Sequence, residues 1–158
     1  MGVVILNEKI EYIYSNCSQL VHTVLGRDLP VSGNIGLFAQ NEEEYQNMFE
    51  LTRPLVYPSD NPLQKYFELK EPIGKFTHLY IRKPDQTPYG KYLGDIDFIL
   101  AEEEYELLKK EVIAGKYPGA VMYDRPGWDT VQVVQSGIDV VSYISTMGMA
   151  IKARIKFD

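Results

Sequence analysis

The densest set of side chains able to do chemistry lies between residues 76 and 98. On a strand over 76–82, a two-residue period puts His78, Tyr80 and Arg82 on one face and Leu79 and Ile81 on the other. A second strand, over 95–100, carries Asp95 and Asp97 on one side and Ile96, Phe98 and Leu100 on the other. If these strands lie side by side, five groups that donate, accept or titrate face one cavity. There His78 serves as base or metal ligand, Arg82 holds an anion, and Asp97 binds a metal or orients His78. The plainer account is an antiparallel sheet with one wet face, where Arg82 and Asp95 make only a cross-strand ion pair.

A second group follows the turn at Pro126-Gly127. Tyr123, Arg125 and Trp128, the only tryptophan, flank it and are types common in binding sites. A hairpin closed by an ion pair and an aromatic lid accounts for them equally well. Cys17 falls on the apolar face of a helix as a small hydrophobe, and His22 sits late in the same helix; both read as structural. Tyr57, Tyr66, Tyr89, Tyr92 and Tyr117 suit either a broad aromatic cavity or a protein interface. Gly94-Asp95-Ile96-Asp97 is similar to the Asp-x-Asp strand of magnesium-binding nucleotidyltransferases, but Pro88-Tyr89-Gly90 stands where a Gly-Ser turn belongs. Pro58-Ser59-Asp60 with Glu68-Leu69-Lys70 fits a loose nuclease spacing that an acidic chain argues against.

Composition bounds the rest. The chain has 158 residues and a net charge of −6, which suits one domain and disfavours nucleic acid as the partner. Lys152, Arg154 and Lys156 form its one basic stripe. A single cysteine excludes an internal disulfide, and with two histidines any metal needs carboxylates to complete its shell. No apolar run approaches the roughly 20 residues that span a bilayer, and residues 1–6 lack the marks of a signal peptide. The expectation is a cytoplasmic protein without a membrane partner.

The elements follow from periodicity. Ile10, Ile13, Cys17, Leu20, Val21 and Val24 share a face of a helix over 8–25, opened by Asn7 and closed by Gly26. A buried strand is expected over 34–39, then a helix capped by Asn41, then a stretch broken by Pro54, Pro58 and Pro62. Strands over 64–70 and 76–82 lead to a Pro-, Gly- and Tyr-rich loop over 83–93. The strand over 95–100 precedes a helix over 102–114. Strands over 120–123, 128–134, 138–145 and 149–157 complete the chain, the last alternating strictly from Met149 to Phe157.

One internal repeat organises this list. Gly33-Asn34-Ile35-Gly36-Leu37-Phe38 runs to Glu42-Glu43-Glu44-Tyr45, and Gly94-Asp95-Ile96-Asp97-Phe98-Ile99 runs to Glu102-Glu103-Glu104-Tyr105. Each copy is a strand, an acidic helix start, a helix and several strands. Acidic residues favour any helix N-terminus, so two unrelated junctions could also converge on these letters. As a duplication, the chain resembles the vicinal-oxygen-chelate superfamily, the glyoxalase and bleomycin-resistance type. That resemblance implies an α+β fold of duplicated βαβββ-like modules in a curved, mainly antiparallel sheet around a pocket. Residues 31–83 and 92–158 would be the modules, and 1–30 an N-terminal helical extension.

Enzymes of that superfamily usually place His or Glu on the first strand of each module and Glu on the last. Here Ile35 and Leu37, and Asp95 and Asp97, occupy the first strands, which favours a metal-free binding member. The expected function is therefore small-molecule binding, through His78, Tyr80, Arg82, Asp95, Asp97, Tyr123, Arg125 and Trp128. Two alternatives are an enzyme using a divalent ion on His78 and Asp97, and a protein-interaction module that dimerises through the 149–157 strand edge.

Overall fold

The computed structural model describes residues 2–84 and 92–155. Those residues form an α+β fold, with four α-helices and one open, mixed sheet of seven strands among them. The elements run α1 (Gly2–Leu25), β1 (Val31–Phe38), α2 (Glu42–Thr52), β2 (Phe67–Ile73), β3 (Phe76–Arg82) and β4 (Gly94–Ile99). They continue with α3 (Glu102–Ile113), β5 (Ala120–Arg125), β6 (Trp128–Val133), β7 (Val141–Ser145) and α4 (Met147–Ala153). A 3-10 turn over Arg53–Leu55 extends α2, with Pro54 in it.

The sheet order is β2-β3-β1-β4-β7-β6-β5. At its centre β1 and β4 are antiparallel, with Ile35 opposite Ile96 and Gly36 opposite Asp95. On either side the return strand lies parallel to the one that began its half: β3 to β1, and β7 to β4. β2, β6 and β5 add antiparallel strands outward. Among the described residues, two strands follow α2 in the first half, not the three that a βαβββ unit would have. Strands β3 and β4 are not neighbours either, because β1 lies between them.

The hydrophobic logic of α1 holds. Leu6, Ile10, Ile13, Cys17, Leu20 and Val21 are buried against one face of the sheet, with Ile35, Ile96 and Ile144 in the same core. This helix begins at Gly2, well before Glu8, because the apolar period extends back to Leu6. Gly94 permits the close approach: a Cβ there would lie 2.5 Å from the Ile13 side chain and 2.5 Å from the carbonyl of Gly36. Cys17 donates its thiol to the carbonyl of Val141 at 3.3 Å, and Ser142 donates to the carbonyl of Cys17 at 3.1 Å. Burial pushes that thiol up, so it stays protonated and unreactive.

Helix α2 starts where the side chain of Asn41 accepts from the Glu44 N–H at 2.8 Å, with three glutamates in the first turn. Helix α3 buries Tyr105, Leu108 and Val112 on the same core.

The end of the chain differs from the expected strand over 149–157. Residues Met147–Ala153 are helical, Thr146 caps them by accepting from Met149 N–H at 3.4 Å, and residues 156–158 lie outside the described residues. Met, Ala and Lys are strong helix formers, and Ala150 and Ala153 also sit at helical spacing on the buried side. A dimer through a 149–157 strand edge therefore has no such edge to use among the described residues.

Candidate functional site

Strand alternation carries the eight residues expected to bind a ligand to the face of the sheet opposite α1 and α3. His78, Tyr80 and Arg82 on β3 stand opposite Asn34, Gly36 and Phe38 on β1. Asp95 stands opposite Gly36, and Asp97 is in register with Tyr143 on β7. Further out, Tyr143 opposes Gln132, while Tyr123 opposes Thr130 and Arg125 opposes Trp128 in the β5–β6 hairpin. Arg125 reaches inward, its guanidinium 4.8 Å from the centre of the Tyr143 ring and 4.5 Å from that of Tyr123.

This face is covered. The Asn34 amide donates to the carbonyl of Ala150 at 2.9 Å, and Arg154 Nε donates to Asn34 Oδ1 at 2.9 Å, which ties the end of α4 to β1. The N–H groups of Lys65 and Tyr66 then donate to the carbonyl of Arg154 at 3.4 and 3.3 Å. The chain entering β2 and the end of α4 thus form one strap over the central strands. Beneath it Asp95 is only 7% exposed and Asp97 9%. Gly36 is required by this packing: a Cβ there would come within 2.3 Å of Asp95 Oδ1.

Both carboxyls are held above the usual carboxylate range. Burial pushes Asp95 up to about 7, the charge of Asp97 adds to it, and Lys65, Arg125 and Arg82 oppose it. Burial raises Asp97 too, against the Asn34 amide, which donates to Asp97 Oδ2 at 3.3 Å, and against nearby cations. Asp95 Oδ1 has no hydrogen-bond partner among the described residues. Two carboxyls on one face, one able to hold a proton near neutrality, have the form of an acid–base pair, but the strap covers them.

His78 and Asp97 do not meet. They lie two strands apart with Asn34 between them, a separation of about 9–10 Å from strand spacing alone. Asn34, not His78, is the partner of Asp97, and His78 Nδ1 sits 2.9 Å from Thr77 Oγ1. Burial, with the charge of Arg154, lowers the His78 pKa and keeps the ring neutral at pH 7. Among the described residues no group of three or more His, Cys, Asp or Glu gathers to hold an ion. His22 is exposed, its Nδ1 3.0 Å from Asp28 Oδ1.

The opening lies beside this face. Pairing between β2 and β3 ends at Phe67 opposite Leu79, and beyond it a cavity of about 890 Å³ separates α2 and the 3-10 turn from β3 and residues 56–65. Tyr45, Phe49, Tyr57, Phe67 and Tyr80 supply aromatic walls. Among the described residues, Arg53, Lys65, Lys70 and Lys83 are the charged ones that line it. Of the residues singled out from the sequence as a site, only Tyr80 lines this cavity.

Lys65 joins the two regions. It lines the cavity, its ammonium lies 4.9 Å from the centre of the Tyr80 ring, and its charge opposes ionisation losses at both aspartates. The available hints of the cavity were Phe49, an aromatic left 42% exposed on α2, and the prolines at 54, 58 and 62. The prolines keep that stretch from closing the gap with regular structure.

Among solved structures, the structural-genomics protein EC4020 shares the fold, with a TM-score of 0.52 and 14% identity over 92% of each chain. No protein-family model and no curated protein matches the sequence. Among the described residues no helix is long and apolar enough to cross a membrane.

Proposed function

We propose that this chain is a small-molecule-binding domain whose ligand enters the cavity between α2 and the end of the β2–β3 pairing. One observation carries the reading: a volume of about 890 Å³ walled by five aromatic side chains, within the range of pockets that hold organic ligands. The halves are read as a duplicated unit of the glyoxalase and bleomycin-resistance type. In support, the matching Gly33–Phe38 and Gly94–Ile99 segments lie at the antiparallel centre of the sheet, and each half returns a parallel strand beside its first.

The test is a fragment screen by amide chemical-shift mapping on ¹⁵N-labelled protein. Hits are expected to shift amides of residues 49–65 and 79–83 together. A screen whose hits scatter over the surface, or gather on the β5–β6 hairpin, would sink the proposal.

A further inference from the structure

Resting on that binding reading, we propose that the ligand of the α2–β3 cavity is an anion built on a flat ring system, such as an aromatic carboxylate, sulfonate or phosphate ester. The charge distribution points there. The whole chain has 22 acidic and 16 basic residues, yet among the described residues the cavity lining holds four basic ones and no acidic one. A proportional share would be about two of each. An acidic protein repels anions at a distance, so a lining with only basic charges among the described residues marks a place where a negative group is favoured over its surroundings.

Cations and rings are interleaved in that lining. Lys83 Nζ lies 5.9 Å from the centre of the Tyr45 ring, and Arg53 lies 5.6 Å from that of Phe49 while pairing with Glu50 at 2.6 Å. Lys70 and Lys83 form no ion pair among the described residues, and both are exposed at the cavity. A flat ligand stacked on Tyr45 would therefore bring an attached anion within reach of the Lys83 ammonium, which has no carboxylate to leave among the described residues. A neutral ring system would gain only the stacking.

A matched pair of fluorescent probes separates these terms. 8-Anilinonaphthalene-1-sulfonate and N-phenyl-1-naphthylamine share the ring system and differ by the sulfonate. The folded protein is expected to bind the sulfonate at one site at least tenfold more tightly than the neutral probe. Replacing both exposed lysines, Lys70→Gln with Lys83→Gln, should remove most of that difference by weakening the sulfonate far more than the neutral probe. Amide shifts at 79–83 should locate both probes.

If the neutral probe binds there as tightly as the sulfonate, or the double variant keeps the full preference, the anion proposal falls while the cavity reading stands. If neither probe shifts those amides, both fall.

Discussion

Asp95→Asn is expected to raise the melting temperature by several degrees at pH 8 and by progressively less as the pH falls toward 4. In the unfolded chain this carboxyl titrates near 3.8, whereas in the folded protein burial and the charge of Asp97 push it up to about 7. Between those values the folded state binds a proton that the unfolded state has released, so stability falls as pH rises through that window. Above pH 7 the folded protein carries the whole cost of the buried charge.

Asn keeps the size of Asp and has no charge to bury, so the benefit grows from near pH 4, where the unfolded carboxyl ionises, and levels off above pH 7, where the folded one does too. Thermal denaturation of both proteins from pH 4 to pH 9 measures it. A lower melting temperature for the variant at pH 8 would mean that Lys65, Arg82 and Arg125 stabilise the ionised form more than burial penalises it.

Gly36→Ala tests the same packing from the opposite strand. The new methyl would sit 2.3 Å from Asp95 Oδ1 and 3.1 Å from Phe38 Cε1. The nearest atom belongs to a side chain, but a short one on a central strand beneath the strap, with little room to swing away. Overpacking of this kind costs about 1–3 kcal/mol. Urea denaturation should place Gly36→Ala in that range in the wild-type background and well below it in an Asp95→Ala background. Equal costs in both backgrounds would show that the strain lies elsewhere, with the backbone or Phe38.

Much of the fold is legible because it is local. The buried face of α1, the Asn41 cap, the limits of β3 and the Pro126-Gly127 turn of the β5–β6 hairpin follow from spacing and turn chemistry over a few residues. The failures are of two kinds. Over 149–153, Met149, Ile151 and Ala153 satisfy a two-residue period while the same stretch satisfies a helical one, and helix propensity with the Thr146 cap decides it. The separation of β3 from β4 depends on crossovers, which no local pattern records.

The site divides in the same way. Alternation correctly groups His78, Tyr80 and Arg82 on one face and Asp95 with Asp97 on one face, since that is a property of each strand alone. That the face is strapped by α4 and residues 64–66 depends on tertiary hydrogen bonds to Arg154 and Asn34. The cavity draws on α2, the 3-10 turn, residues 56–65 and β3, and its lysines are ordinary surface residues in the sequence. Most of the loop expected over 83–93, residues 85–91 with Tyr89, lies outside the described residues.

The strand order also sets a sequence of events in time. Ile35 and Ile96, paired at the centre of the sheet, are 61 positions apart in the chain, and Asp95 and Val141 are 46 apart. The β2–β3 and β5–β6 pairs need only short turns. Closing a long loop costs entropy before its contacts repay it, so the rims of the sheet can assemble early and the middle must wait. Two built-in reporters sit at these places: Trp128 in the outer hairpin and the thiol of Cys17, shielded where α1 crosses β7. During refolding, the change in tryptophan fluorescence should run ahead of the loss of thiol reactivity.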